Sequence, residues 1–190
     1  MSFPGNHRLQ MHNVFLTILT TLFFLVFTWS PVHAETPKQS YDRGYEQHMK
    51  SRFLDAAKYY TKAINGNPSY SQAYQMRAAA YHSLKDYGRA LQDYTRVIEL
   101  GEKFFIPVAY FNRGVVNYAS GRYKAAITDY SWAVSYDHKM ALAYLHRGIT
   151  KGRVGDKSGQ VRDFLYAARY GDFEVKKWLE EHAPHVLERK

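Results

Sequence analysis

The chain has 190 residues, 46% of them hydrophobic and 23% charged, with a formal net charge of +9. It contains no cysteine, which excludes a disulfide framework, an iron–sulfur cluster and a cysteine-ligated zinc. Its lysines and arginines alternate with acids and form no run of five, a pattern that fits solvated helix faces attractive to acidic partners and gives no support to a nucleic-acid role.

In chain order, residues 1–34 hold one charged side chain, Arg8. A weakly polar-to-apolar run from Val14 to Trp29 follows, then Pro31 and Val32-His33-Ala34. This predicts a secretory signal peptide cut between Ala34 and Glu35. The run is shorter than the ~20 residues a spanning helix needs; an inner-membrane anchor over 14–29 is the alternative. Met11 is an alternative start to Met1. No cysteine follows the run, so lipid anchoring is excluded. Cleavage places the chain in the periplasm or outside the cell, touching a membrane only through the signal segment. Losing Arg8 and no acid leaves +8.

From residue 37 onward the chain repeats itself. Arg43, Arg77, Arg113 and Arg147 stand 34, 36 and 34 residues apart, each followed by Gly or Ala. Ala56, Ala90, Ala126 and Gln160 share a second register, Tyr60, Tyr94, Tyr130 and Phe164 a third, and Ala63, Val97, Ala133 and Ala167 a fourth. Small residues let two helices approach and the ring fills the space beside them. Helix pairs are therefore predicted over 37–70, 71–106, 107–140 and 141–171. Their inner turns fall at Met49–Arg52, Leu84–Asp86, Ser120–Arg122 and Val154–Asp156. Two extra residues precede Pro107, which predicts a longer turn after Leu100-Gly101. Residues 173–182 read as one more amphipathic helix with Val175, Trp178 and Leu179 on its apolar face. Pro184 ends it, and the tail from His185 to Lys190 is expected to fray.

These residues resemble the tetratricopeptide repeat family, in the variant whose first helix reads Asn-Arg-Gly. Residues 107–140 carry the resemblance best, through Tyr110-Phe111-Asn112-Arg113-Gly114, Gly121-Arg122-Tyr123-Lys124-Ala125-Ala126-Ile127, Asp129-Tyr130 and Ala133. The resemblance implies an all-α, helical-hairpin solenoid of four repeats plus a C-terminal capping helix, spanning residues 35–183. It also implies that the first helix of each unit lines a concave groove. Carried onto this chain, the groove positions are Tyr41, Tyr45 and His48; Gln72, Gln75, Ala79 and His82; Val108, Phe111, Val115 and Tyr118; Leu142, Leu145 and Ile149. Some family members clamp a C-terminal carboxylate with Lys and Asn; only Asn112 survives of that set, which argues against such a clamp here. For any single groove residue, packing between units is the competing role.

Asp93, Asp129 and Asp163 each lie 16 residues after Arg77, Arg113 and Arg147, and structural ion pairs between helices are expected. Tyr59 stands at the matching position for Arg43, leaving that arginine unpaired or open to a ligand. His48 and His82 share a register and are candidates to face each other across neighbouring helices, with coincidence the stronger account. No Gly-x-Ser-x-Gly, phosphate loop, His-Glu-x-x-His or thiol is present, so neither catalysis, a cofactor nor a metal is expected. The expected role is a non-enzymatic scaffold of the bacterial cell envelope that binds a protein or peptide, an acidic one being an option, in its groove. The alternatives are an electrostatic binder of an anionic glycan or lipid, and homo-oligomerisation through Leu142, Leu145 and Ile149.

Overall fold

The computed structural model describes residues 35–187, and the signal-peptide and anchor readings lie outside the described residues. Within them the chain forms nine α-helices and no strand. The helices are α1 Pro37–Met49, α2 Phe53–Gly66, α3 Ser71–Ser83, α4 Tyr87–Leu100, α5 Ile106–Ala119, α6 Tyr123–Tyr136, α7 Ala141–Arg153, α8 Lys157–Arg169 and α9 Phe173–His182. Each packs on its neighbours in sequence, giving four consecutive hairpins closed by α9. No described helix is long and apolar enough to cross a membrane.

Local chemistry sets these boundaries. Thr36 and Gln39 form a reciprocal capping box ahead of Pro37, which satisfies two end donors of α1. Asp86, Asp156 and Asp172 cap α4, α8 and α9 by accepting from the backbone N–H three residues on. The inner turn of each hairpin needs one left-handed residue. Gly121 and Gly155 supply it without strain in the last two hairpins, whereas Ser51 and Lys85 adopt it in the first two. Of the two extra residues in the second repeat, one lengthens the connection before α5 to 101–105 and the other lengthens α5 itself. Glu102 anchors that connection by accepting from the buried Ser71 hydroxyl.

The core is a column of one ring per hairpin. Tyr60 and Tyr130 are fully buried, and Tyr94 and Phe164 nearly so. A methyl group on Gly44, Gly114 or Gly148 would stand within 2.8 Å of the facing ring, so close approach requires glycine there. In the last hairpin Gln160 occupies the small-residue register. Gly152 makes room for it, because a methyl there would meet the Gln160 amide at 2.5 Å. Behind this hairpin Val175 and Leu179 of α9 complete a core with Ala143, Tyr144, Phe164 and Ala167. Of the tail expected to fray, Pro184–Val186 form a 3-10 turn and Val186 packs against that core, while residues 188–190 lie outside the described residues. Pro184 pre-sets the backbone, and Val186 gains an apolar partner.

Candidate functional site

Three arginines tie the hairpins together. Arg77 holds Asp93 with two parallel bonds of 2.8 Å and reaches back to the Thr61 hydroxyl at 2.9 Å. Arg113 does the same with Asp129 and Thr95, and Arg147 with Asp163 and Ser131. Each guanidinium thus joins its own hairpin's second helix to that of the preceding hairpin, in the bidentate geometry that arginine favours. Asp129 also accepts from Asn117 at 2.8 Å, and Asp163 pairs with Lys151 at 2.9 Å. Each arginine lies over a tyrosine three residues earlier: Tyr74, Tyr110 or Tyr144. The hydroxyl register of Thr61, Thr95 and Ser131 was readable as a 34- and 36-residue recurrence; it ends at Leu165, where the arginine column also stops. Arg43 has no Asp of this kind, yet it is not without a partner.

The family's groove positions fall on α1, α3, α5 and α7. Several are engaged in packing. Tyr41 lies against Tyr60 and Tyr70, and Phe111 meets Tyr130 of its own hairpin and His146 of the next, edge-on at 5.3 Å. His48 packs on Phe53 and His82 on Tyr87. Among the described residues no ring contact joins the two histidines, because each is held within its own hairpin. Tyr118 packs on Tyr123, and Leu145 against the last core. Gln75 and Asn112 are half-buried. Tyr45, Leu142 and Ile149 remain open, at 47%, 56% and 39% exposure.

No groove position carries a formal charge. Burial pushes His48, His82 and the adjacent His146 below the ordinary imidazole value, which favours their neutral form. Cations instead crowd the exposed faces of the other helices, as at Lys58, Lys62, Arg89, Arg96, Arg162 and Arg169. A neutral groove in a strongly basic domain can offer shape, rings and aliphatic surface, and little long-range steering.

The last helix, α9, packs on α8 and lies beside two of the family's groove positions. Leu145 and Ile149, with Phe164, Val175 and Trp178, line a largely apolar pocket of about 300 Å³ bordered by Asp172 and Glu174. Trp178 is 40% exposed and meets Phe164 edge-on at 5.5 Å. A second, larger pocket of about 520 Å³ lies on the outer side of α8, where Arg162, Arg169 and Lys176 surround Leu165, Tyr166, Val186 and Leu187. Two ring stacks also bridge the helices of the last two hairpins, each centred on a tyrosine of the first helix: Trp132–Tyr110–Tyr136 and Tyr166–Tyr144–Tyr170. The recurrence of Trp132 and Tyr166 after 34 residues was their signal in the sequence. Among the described residues no group of three or more His, Asp or Glu is placed to hold a metal ion.

Residues 59–92 and 86–137 match models described as tetratricopeptide repeat. A stretch of 82 residues is 41% identical to serine/threonine-protein phosphatase 5 of Homo sapiens, covering 43% of this chain and 16% of that protein. Among solved structures, MamA superposes with a TM-score of 0.68 at 19% identity over 81% of this chain and 87% of its own. The first TPR of Spaghetti (RPAP3), bound to the HSP90 peptide SRMEEVD, superposes with a TM-score of 0.58 at 20% identity over 62% and 92%. At such identities the likeness to both structures is one of fold. The four hairpins of this chain are therefore an all-α tetratricopeptide-type solenoid, with tetratricopeptide repeats matched in sequence across residues 59–137.

Proposed function

We propose that the protein is a non-catalytic scaffold of the bacterial cell envelope that binds a protein or peptide segment along α1, α3, α5 and α7. The observation that carries this reading is the contrast between an uncharged groove with open Tyr45, Leu142 and Ile149 and a basic outer face. A rigid array of hairpins offers such a surface with little ordering entropy, and rings add contact area at small rotamer cost. The peptide-bound structural relative supports the mode of recognition by analogy of fold. Neutral groove positions favour an apolar-bearing segment over an acidic one. The envelope assignment rests on the 1–34 pattern, and a mature N-terminus at Glu35 by mass spectrometry tests it.

The cation-rimmed pocket around Arg162, Arg169 and Lys176 supports a second reading, attraction to an anionic glycan or lipid. Capture from envelope extract at low and high salt separates the two. Groove binding persists at high salt and is lost in a Tyr45→Ala/Ile149→Ala variant. Surface binding collapses with salt, since screening shortens its reach to a few ångströms. Capture only of the chain's own copies would replace both readings with self-association.

A further inference from the structure

The apolar pocket at the α9 end of the groove has a chemistry of its own. Phe164, Val175 and Trp178 close it on sides that no groove position supplies, and Ile149 and Trp178 each leave a large apolar surface half open to solvent. A volume of about 300 Å³ suits one bulky side chain. The charges at its border are Asp172 and Glu174, and no cation lines it. Asp172 spends one oxygen capping α9, accepting from the Val175 N–H at 3.0 Å. Glu174 is exposed and forms no ion pair among the described residues, whose other α9 acids are engaged with Lys176 or His182. Two carboxylates beside an uncovered apolar cavity are electrostatically complementary to a cation next to an apolar anchor.

We infer that this pocket is the specificity site of the groove, taking a large apolar side chain, aromatic or aliphatic, that is flanked in its own chain by lysine or arginine. The inference rests on the groove-binding reading and names the partner's chemistry at one end of it. An apolar anchor in a desolvated pocket carries the affinity, and the acids select its neighbours and the direction in which the segment lies. The partner segment is thus basic and apolar, although the domain that binds it is itself basic.

The test measures fluorescence anisotropy of three labelled synthetic peptides with Gly-Ser flanks and Lys-Phe-Lys, Glu-Phe-Glu or Lys-Ala-Lys centres, titrated with the full chain. The Lys-Phe-Lys peptide is expected to bind about tenfold or more tighter than either other peptide. Glu174→Lys, a change at an exposed position, should reverse the Lys over Glu preference and leave the need for Phe intact. Lys62→Ala, at an exposed position of α2 outside the groove, should leave both preferences unchanged. Equal affinities, a preference for Glu-Phe-Glu in the parent, or no binding by any peptide overturns the inference. If capture through Tyr45 and Ile149 still succeeds when the peptides show no such preference, groove binding stands and only the pocket's proposed chemistry falls.

Discussion

Removing the arginines of the column one at a time should destabilise the array unequally, in an order set by what each stranded aspartate keeps. Asp93, Asp129 and Asp163 are 6%, 3% and 1% exposed, so by burial alone Arg147 would be the costliest to lose. The remaining partners reverse that order. With Arg77→Met, Asp93 loses the one cation that pairs with it among the described residues, and the loss should approach the ~3–4 kcal/mol typical of a broken buried pair. With Arg113→Met, Asp129 keeps the Asn117 amide at 2.8 Å, which lowers the expected loss to ~2–3 kcal/mol. With Arg147→Met, Asp163 keeps Lys151 at 2.9 Å, and ~1–2 kcal/mol is expected. Urea unfolding followed by circular dichroism measures the three midpoints. The double change Arg77→Met/Asp93→Leu should recover most of the first loss, because no carboxylate is then left buried. Equal losses for all three arginines, or a double variant as weak as Arg77→Met, would refute the reasoning.

Other outcomes follow from the same packing. Gly114→Ala places a methyl 2.7 Å from the fully buried Tyr130 ring and should cost ~1–3 kcal/mol, whereas Gly88→Ala, near only the Asp86 carboxylate at 3.8 Å, should stabilise by ~0.5–1 kcal/mol. Thermal melts of the two variants, shifted in opposite directions, check the pair. The hydroxyl of Tyr60 is buried with no protein partner, so Tyr60→Phe should leave stability unchanged or raise it by up to ~1 kcal/mol in urea titration. Burial lowers the folded-state affinity of His48, His82 and His146 for a proton, so the unfolded chain binds more protons below its ordinary value of about 6.5. Stability should therefore fall between about pH 7 and pH 5.5, and His146→Gln should flatten that slope in urea titrations across the window.

Much of the fold was legible because a repeat states the same packing solution several times. The Arg43 series, the Ala56 series and the Tyr60 series each name one contact, and an error at one position is corrected by its copies. Where a copy departs from the others the reading weakened. Gln160 breaks the small-residue register, and only the structure shows that Gly152, on the partner helix, makes room for it. The start of the tail was expected to fray because the sequence pattern does not show that Val186 meets the core shared by the last hairpin and α9. The site was less legible for the same reason. Periodicity places Phe111 and Tyr41 on the first helices of their units, which the family resemblance makes groove helices, but it does not say that their rings lean on Tyr130, His146, Tyr60 and Tyr70. Nor does it say that α9 brings Trp178 beside Leu145 and Ile149 to make a pocket, since that depends on how α9 meets the last hairpin.

The most direct test of groove recognition is site-specific photo-crosslinking in cells. A benzophenone side chain is placed in turn at Tyr45 and Ile149, both open in the groove, and at Lys62 and Arg96, both exposed on the other helices. The account predicts that Tyr45 and Ile149 cross-link to one common protein and that Lys62 and Arg96 do not. Cross-links to that protein from Lys62 and Arg96 alone would move the binding surface to the outer face and contradict the account.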